Sequence, residues 1–302
     1  MKIGLIDVDS HNFPNLVLMK ISAWHKAQGD HADWCLWPWW IALETYDRIY
    51  VSKVFDKSYS KEIDEPYNAK EIIYGGTGYG LDNRLSNEIE HTYPDYQLYS
   101  KFTANTAYGF LTRGCPCGCA FCVVPEKEGC KSRKTADLKE FYNGQKYIKL
   151  LDPNILAASE HMELLNQMAD SGAWVDFTQG LSIKFVNDEN INILNKIKTK
   201  MLHFAWDNPK ENLLPLFENF IQKSNIKDRR KLGVYVLTNF NSTHEEDLWR
   251  IETLRSIGYD PYVMIFDKPN APQKTRLLAR WVNNKRIFAK CPSFEMYDRT
   301  IG

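Results

Sequence analysis

Thr112-Arg-Gly-Cys-Pro-Cys-Gly-Cys-Ala-Phe-Cys-Val-Val-Pro125 carries four cysteines between positions 115 and 122. Three of them, Cys115, Cys119 and Cys122, have the spacing C-x3-C-x2-C. Three thiolates on one short loop can ligate three irons of a [4Fe–4S] cube and leave the fourth iron open. An open iron can bind a substrate or cofactor, whereas a fully ligated cluster mainly passes electrons.

Cysteine clusters have other uses. A disulfide framework suits short secreted chains, but this chain has 302 residues and an odd number of cysteines, seven. Its start, MKIGLIDVDS, lacks the apolar core and small-residue cleavage site of a signal peptide. A reducing, cytoplasmic setting is therefore expected, where metal binding is favoured over disulfides. Structural zinc wants two separated ligand pairs; Cys130 stands alone, and Cys35 and Cys291 are remote in sequence. Cys35 and Cys291 read as small buried hydrophobes. Cys117 and Cys130 stay open, as spare thiols or as ligands to something else.

Lys+Arg and Asp+Glu both number 38, so the formal net charge is zero and nothing global points to nucleic acid or an anionic membrane. The most apolar run, Trp34 to Leu43, is too short to span a bilayer. It gathers Trp34, Trp37, Trp39 and Trp40 around Pro38, which reads as core packing, with a partner or substrate surface as the other use.

Upstream of the cysteines, strand and helix signals alternate. Strands are expected over residues 2–9, 31–37, 47–55 and 71–74, with a fifth near 96–100 and a helix over 14–28. Such alternation predicts an open parallel sheet of the Rossmann-like kind, which binds ligands at the carboxyl ends of its strands. The run Gly75-Gly-Thr-Gly-Tyr-Gly80 follows the fourth strand. It is either a binding loop or a tight turn needing positive φ.

From about Tyr108 onward six β/α units can be counted. Strands are expected at 108–113, 147–151, 174–178, 202–206, 233–238 and 262–266, with helices at 135–145, 155–171, 188–200, 212–223 and 243–257. Six units suit an open, partial barrel. Asp152, Gln179, Asp207, Asn239 and Asp267 stand at the carboxyl ends of these strands, the rim that carries chemistry in β/α barrels. Turn formation and helix capping also place Asp and Asn there.

With this motif, its aromatic Phe121 before the last cysteine, and six β/α units, the chain resembles a radical S-adenosylmethionine (SAM) enzyme. The resemblance implies an α/β fold of two domains: residues 1–104, a Rossmann-like domain of cobalamin-binding type, and residues 105–302, a partial (β/α)6 barrel with a short C-terminal extension. It implies that Cys115, Cys119 and Cys122 ligate the [4Fe–4S] cluster and that SAM binds the open iron. One electron, from a donor such as flavodoxin or ferredoxin, then cleaves SAM to methionine and a 5′-deoxyadenosyl radical, which abstracts hydrogen from a substrate the sequence does not name. Phe121 would lie near the adenine. Asp152, in Leu150-Leu-Asp-Pro-Asn154, stands where the family usually has a glycine–glycine–glutamate patch for the SAM amino group, and this chain lacks that triplet. Gln179 and Asp207 are further candidates for SAM or substrate.

Asp9-Ser-His11 is similar to half of the D-x-H-x-x-G motif of cobalamin-binding domains, with Pro14 at the glycine position. It raises a second reading, a cobalamin-dependent radical SAM methyltransferase. A third is a non-enzymatic iron–sulfur electron-transfer protein. The chain also resembles the motif region of tRNA methylthiotransferases, but only Cys35 is present for their extra N-terminal cluster.

Overall fold

The computed structural model describes residues 1–10, 12–35, 44–60, 62–63 and 68–298. His11, Trp37, Pro38, Trp39 and Trp40 lie outside them. The chain divides into two compact units. One comprises Met1–Gly109, Cys117–Cys130 and Ala136–Ile148; the other comprises Phe110–Pro116, Lys131–Thr135 and Lys149–Gly302.

In the first unit, β1 (Lys2–Asp7), β2 (His31–Trp34), β3 (Tyr46–Ser52) and β4 (Ala69–Gly75) form a four-stranded sheet in the order β2-β1-β3-β4, every neighbouring pair parallel. β1 is central and its residues Ile3 to Ile6 are all buried, the pattern of a strand covered on both faces. Ile3 and Leu5 pack with Leu18 and Ile21 of the helix Leu16–Ala27, whereas Ile6 packs with Ile49 and Val51. That helix starts where the Asn15 side chain accepts from Leu18 N at 3.3 Å and stops before Gly29, whose φ is +81°.

The expected fifth strand is instead helical. Tyr96–Tyr99 is a 3-10 turn running into the helix Ser100–Thr103. Asp95 caps it by accepting from Gln97 N, and the Thr103 hydroxyl donates to the carbonyls of Tyr96 and Tyr99. These local bonds outweigh the β-propensity of two tyrosines.

A six-stranded sheet has the order β12-β11-β10-β9-β8-β5, the sequential order of an open β/α barrel. Its strands are β5 (Thr106–Gly109), β8 (Tyr147–Leu150), β9 (Trp174–Leu181), β10 (Lys198–Ala205), β11 (Leu232–Thr238) and β12 (Asp260–Ile265). The pairs from β9 to β12 are parallel. On one face Phe204 meets Phe217 and Phe220 of the helix Leu214–Lys223, with ring centroids 5.9 and 5.0 Å apart. The architecture is thus α/β with parallel sheets, as the sequence predicts.

Three expected elements differ: the helix expected over 188–200 stops at Leu194, because residues 198–200 already belong to β10, and two more change near the cysteines. The strand expected over 108–113 stops at Gly109, and Thr112–Arg113 (β6) pairs antiparallel with Arg133–Lys134 (β7). The helix expected over 135–145 is a single 3-10 turn, Leu138–Glu140. It is followed by Phe141, whose ring fills the space where a Cβ on Gly109 would lie 2.3 Å away. Gln273–Asn283 is the helix of the sixth β/α unit, for which the sequence gives no bounds, and Lys285–Lys290 is a further helix beyond it. Among the described residues, no helix is long and apolar enough to cross a membrane.

Candidate functional site

The cysteine loop leaves the sheet at a turn built by Asp152. Its buried carboxylate accepts from Leu111 N at 2.9 Å, from Thr112 N, and from the Thr112 hydroxyl at 2.6 Å. These three donors bend the chain out of β5 and explain why the strand does not run on to Arg113. The base of the loop is then closed by the β6–β7 pair and by Thr135 N donating to Leu111 O at 2.8 Å. Burial pushes the Asp152 carboxyl up to about 6, against the pull of its three hydrogen bonds.

Within the loop, Gly114 and Gly118 have φ of +84° and +59°, conformations that glycine takes without strain. Cys122 N donates to Cys119 O at 2.9 Å, setting these two cysteines on one tight turn. Val124 N approaches the Cys122 sulfur at 3.5 Å as the short helix Val124–Glu128 begins. Cys115, Cys117, Cys119, Phe121 and Cys122 are half-buried, and Cys130 is exposed.

Asn154, two residues beyond Asp152, is buried and reaches the loop directly. Its Nδ2 donates to the Cys115 sulfur at 3.8 Å, and its Oδ1 accepts from Ser182 N at 3.4 Å. Its carbonyl accepts from the Ser132 hydroxyl at 3.1 Å. Sequence reasoning passed over Asn154; the signal was its place in the same strand-end turn, Leu150-Leu-Asp-Pro-Asn154, that singled out Asp152.

The donor chemistry fits an iron–sulfur cluster: three thiols on one loop, with N–H donors aimed at the sulfurs of Cys115 and Cys122, contacts that stabilise thiolate charge. Among the described residues no group of three or more His, Cys, Asp or Glu side chains is arranged around a single ion. The sulfurs of a cube bind three different irons and need not converge on one point.

Gln179 is exposed, on an irregular stretch of β9 where the register against β10 shifts from Leu202↔Phe177 to Phe204↔Leu181. Gly180, at φ +97°, permits that bulge, a feature common beside active sites. Asp207 follows β10. Its carboxyl is pushed up to about 6 by burial, opposed by the charge of Arg250. Arg250 is wholly buried and donates to the carbonyls of Trp206, Asp207 and Leu237 and to the Asp247 carboxylate.

The sheet face opposite Phe204 carries an aromatic row that the sequence reading missed. The His203 and Tyr235 rings stack with centroids 4.9 Å apart, and Tyr235 meets Tyr262 edge-on at 6.0 Å. The Tyr235 hydroxyl donates to Thr178 O at 2.9 Å, beside Gln179. Gly233 makes room for the row, since a Cβ there would lie 2.5 Å from the His203 ring. Burial holds the His203 imidazole below its usual range. The period-2 spacing of Gly233 and Tyr235 was the available signal.

In the N-terminal unit, Asp9 is buried and its carboxylate is engaged by Val54 N, Phe55 N and the Ser60 hydroxyl, at 2.7 to 3.1 Å. The glycine run after β4 is a tight turn: Gly76 has φ +92°, and Gly78 N donates to Lys53 O at 2.9 Å. A Cβ on Gly78 would meet Phe55 O at 2.2 Å, so the run packs against backbone.

No protein-family model matches this chain, and no curated protein matches it in sequence. Solved structures do. TsrM from Kitasatospora setae, a radical S-adenosylmethionine methyltransferase with cobalamin and a [4Fe–4S] cluster bound, aligns over 87% of this chain and 74% of its own, with TM-score 0.63 and 11% identity. This chain has the TsrM fold. A second TsrM structure, with tryptophan substrate and the SAM analogue aza-SAM bound, aligns over 87% of this chain and 72% of its own, with TM-score 0.61 and 11% identity. At 11% identity the likeness to TsrM is one of architecture, and it spans more than residues 105–302, which make up only about two-thirds of the chain.

Proposed function

We propose that this chain is a radical SAM enzyme acting on a substrate still to be identified. The observation that carries the reading is the C-x3-C-x2-C loop leaving the first strand of a sequentially ordered six-stranded sheet, in a chain with the TsrM fold. In this reading Cys115, Cys119 and Cys122 hold a [4Fe–4S] cluster. A cluster held there would supply the one-electron reductive cleavage of SAM. Asp152 fixes the point at which the loop leaves the sheet. Phe121 would lie near the adenine of bound SAM, and Gln179 and Asp207 would be the rim candidates for SAM or substrate contacts. Residues 1–104 form the Rossmann-like domain and residues 105–302 the partial barrel. The setting is cytoplasmic, with a flavodoxin or ferredoxin as electron donor.

Anaerobic reconstitution with iron and sulfide, followed by reduction in the presence of SAM, tests the reading. Release of 5′-deoxyadenosine supports it. A colourless protein that retains zinc in place of iron ends it, and an iron–sulfur EPR signal indifferent to SAM favours an electron-transfer protein.

A cobalamin-dependent methyltransferase is the second reading, because the likeness to cobalamin-bound TsrM extends beyond the barrel residues. Against it, the Asp9 carboxylate is engaged by backbone and by Ser60. Retention of hydroxocobalamin after gel filtration, with S-adenosylhomocysteine among the products, supports this reading. Absence of corrinoid absorbance removes it.

A further inference from the structure

The turn Asp152-Pro-Asn154 reaches the cysteine loop twice. Asp152 fixes the strand exit, and Asn154 approaches a proposed ligand atom itself. The Asn154 side chain is buried and held at both ends: Oδ1 accepts from Ser182 N at 3.4 Å, and Nδ2 points at the Cys115 sulfur, 3.8 Å away. The Ser132 hydroxyl on its carbonyl steadies the backbone of the same residue. An amide so oriented by its oxygen presents a fixed N–H to sulfur, and hydrogen bonds to sulfur are among the levers that set an iron–sulfur potential. An N–H donor draws charge from the thiolate, so the reduced cluster, which carries one more negative charge, gains more than the oxidised one.

We propose that Asn154 is a positioning residue that orients the Cys115 sulfur and raises the reduction potential of the cluster bound there. The proposal rests on the radical SAM reading of the loop. It gives this turn a use other than contact with the SAM amino group: one face anchors the loop, and the other tunes its metal.

The test is an EPR-monitored redox titration of the reconstituted full chain, with iron and sulfide counted in each sample. Asn154→Leu keeps the branched outline and heavy-atom count of the side chain and removes the donor. Asn154→Asp removes the donor and adds a charge. Ser182→Pro leaves Asn154 in place but deletes the N–H that orients it, at a φ of −78° that proline accepts. The expected result is a lower midpoint potential in Asn154→Leu, a larger drop in Asn154→Asp, and a smaller drop in Ser182→Pro. A midpoint equal to wild type in Asn154→Leu at matched iron content overturns the proposal. If Asn154→Leu fails to hold iron, Ser182→Pro decides: a lowered midpoint supports the proposal and an unchanged one overturns it. A wild-type protein that binds no iron overturns the functional reading instead, and the iron count separates that failure from the others.

Discussion

Asp152→Asn should change how stability depends on pH, and the sign can be worked from the structure. The carboxyl sits near 3.8 in the unfolded chain and is pushed up to about 6 by burial in the native protein. Between those values the native state holds a proton that the unfolded state has released. Stability therefore falls as pH rises through this window, and the contribution is fully present below about 3.8 and gone above about 6. A shift of roughly two units corresponds to about 3 kcal/mol. Asparagine does not titrate, so the wild-type minus variant difference should run downhill by that amount between pH 4 and pH 7.

At pH 7 two effects oppose each other in the variant. Asparagine is spared the cost of a buried charge. Its single oxygen can serve Thr112 N and the Thr112 hydroxyl, but its amide NH2 then faces Leu111 N, and an unsatisfied buried donor costs about 1–3 kcal/mol. The variant should thus lie close to wild type near neutrality and fall progressively behind it toward pH 5. Urea denaturation of the metal-free proteins at pH 7.5, 6.5, 5.5 and 5.0, read as the difference between the two at each pH, cancels the titration of every other group. Parallel curves would refute the burial argument. A difference growing with pH would show that the three donors outweigh burial and hold the carboxyl low.

Ala substitution of Cys115, Cys119 or Cys122 should lower bound iron and abolish 5′-deoxyadenosine release, whereas Cys117→Ala should retain both; iron assay and chromatography check this. Arg250→Met should lose about 3–5 kcal/mol in urea denaturation, because it strands the buried Asp247 carboxylate. Gly78→Ala should cost about 1–3 kcal/mol, since its Cβ collides with the Phe55 carbonyl. Gly80→Ala, whose nearest contact is 3.5 Å away, should leave the melting temperature nearly unchanged.

Regular alternation made the parallel sheets legible, because buried parallel strands read as apolar, β-branched runs such as Ile3–Ile6 and Val234–Leu237. What failed to show was set by partners distant in sequence. Residues 108–113 look like one strand, and nothing local reveals that a carboxylate some 40 positions on breaks it at Leu111 and Thr112. Residues 135–145 have helical composition, yet the turn stops at Glu140, where Phe141 is drawn onto Gly109, and Gly144 farther on adopts φ +84°. The cysteines were legible because their spacing is itself the chemistry. Asn154 was not, since an amide becomes a sulfur donor only when the fold brings Cys115 to it.

The strand-end acids carry a more general point. Two strand-end acids that the sequence offers as ligand candidates, Asp9 by its motif and Asp152 by its rim position, bind the protein's own backbone. Asp9, after β1, takes Val54 N, Phe55 N and the Ser60 hydroxyl; Asp152, after β8, takes Leu111 N, Thr112 N and the Thr112 hydroxyl. Both follow a strand and collect two amides and a hydroxyl from a neighbouring segment. A loop that must hold a fixed shape at the carboxyl edge has amides without strand partners, and a buried acid satisfies several at once. Such acids thus hold the scaffold, whereas a rim group that stays exposed is open to a ligand. Gln179 meets that criterion: it stands on the β9 bulge, beside the carbonyl to which Tyr235 anchors the aromatic row.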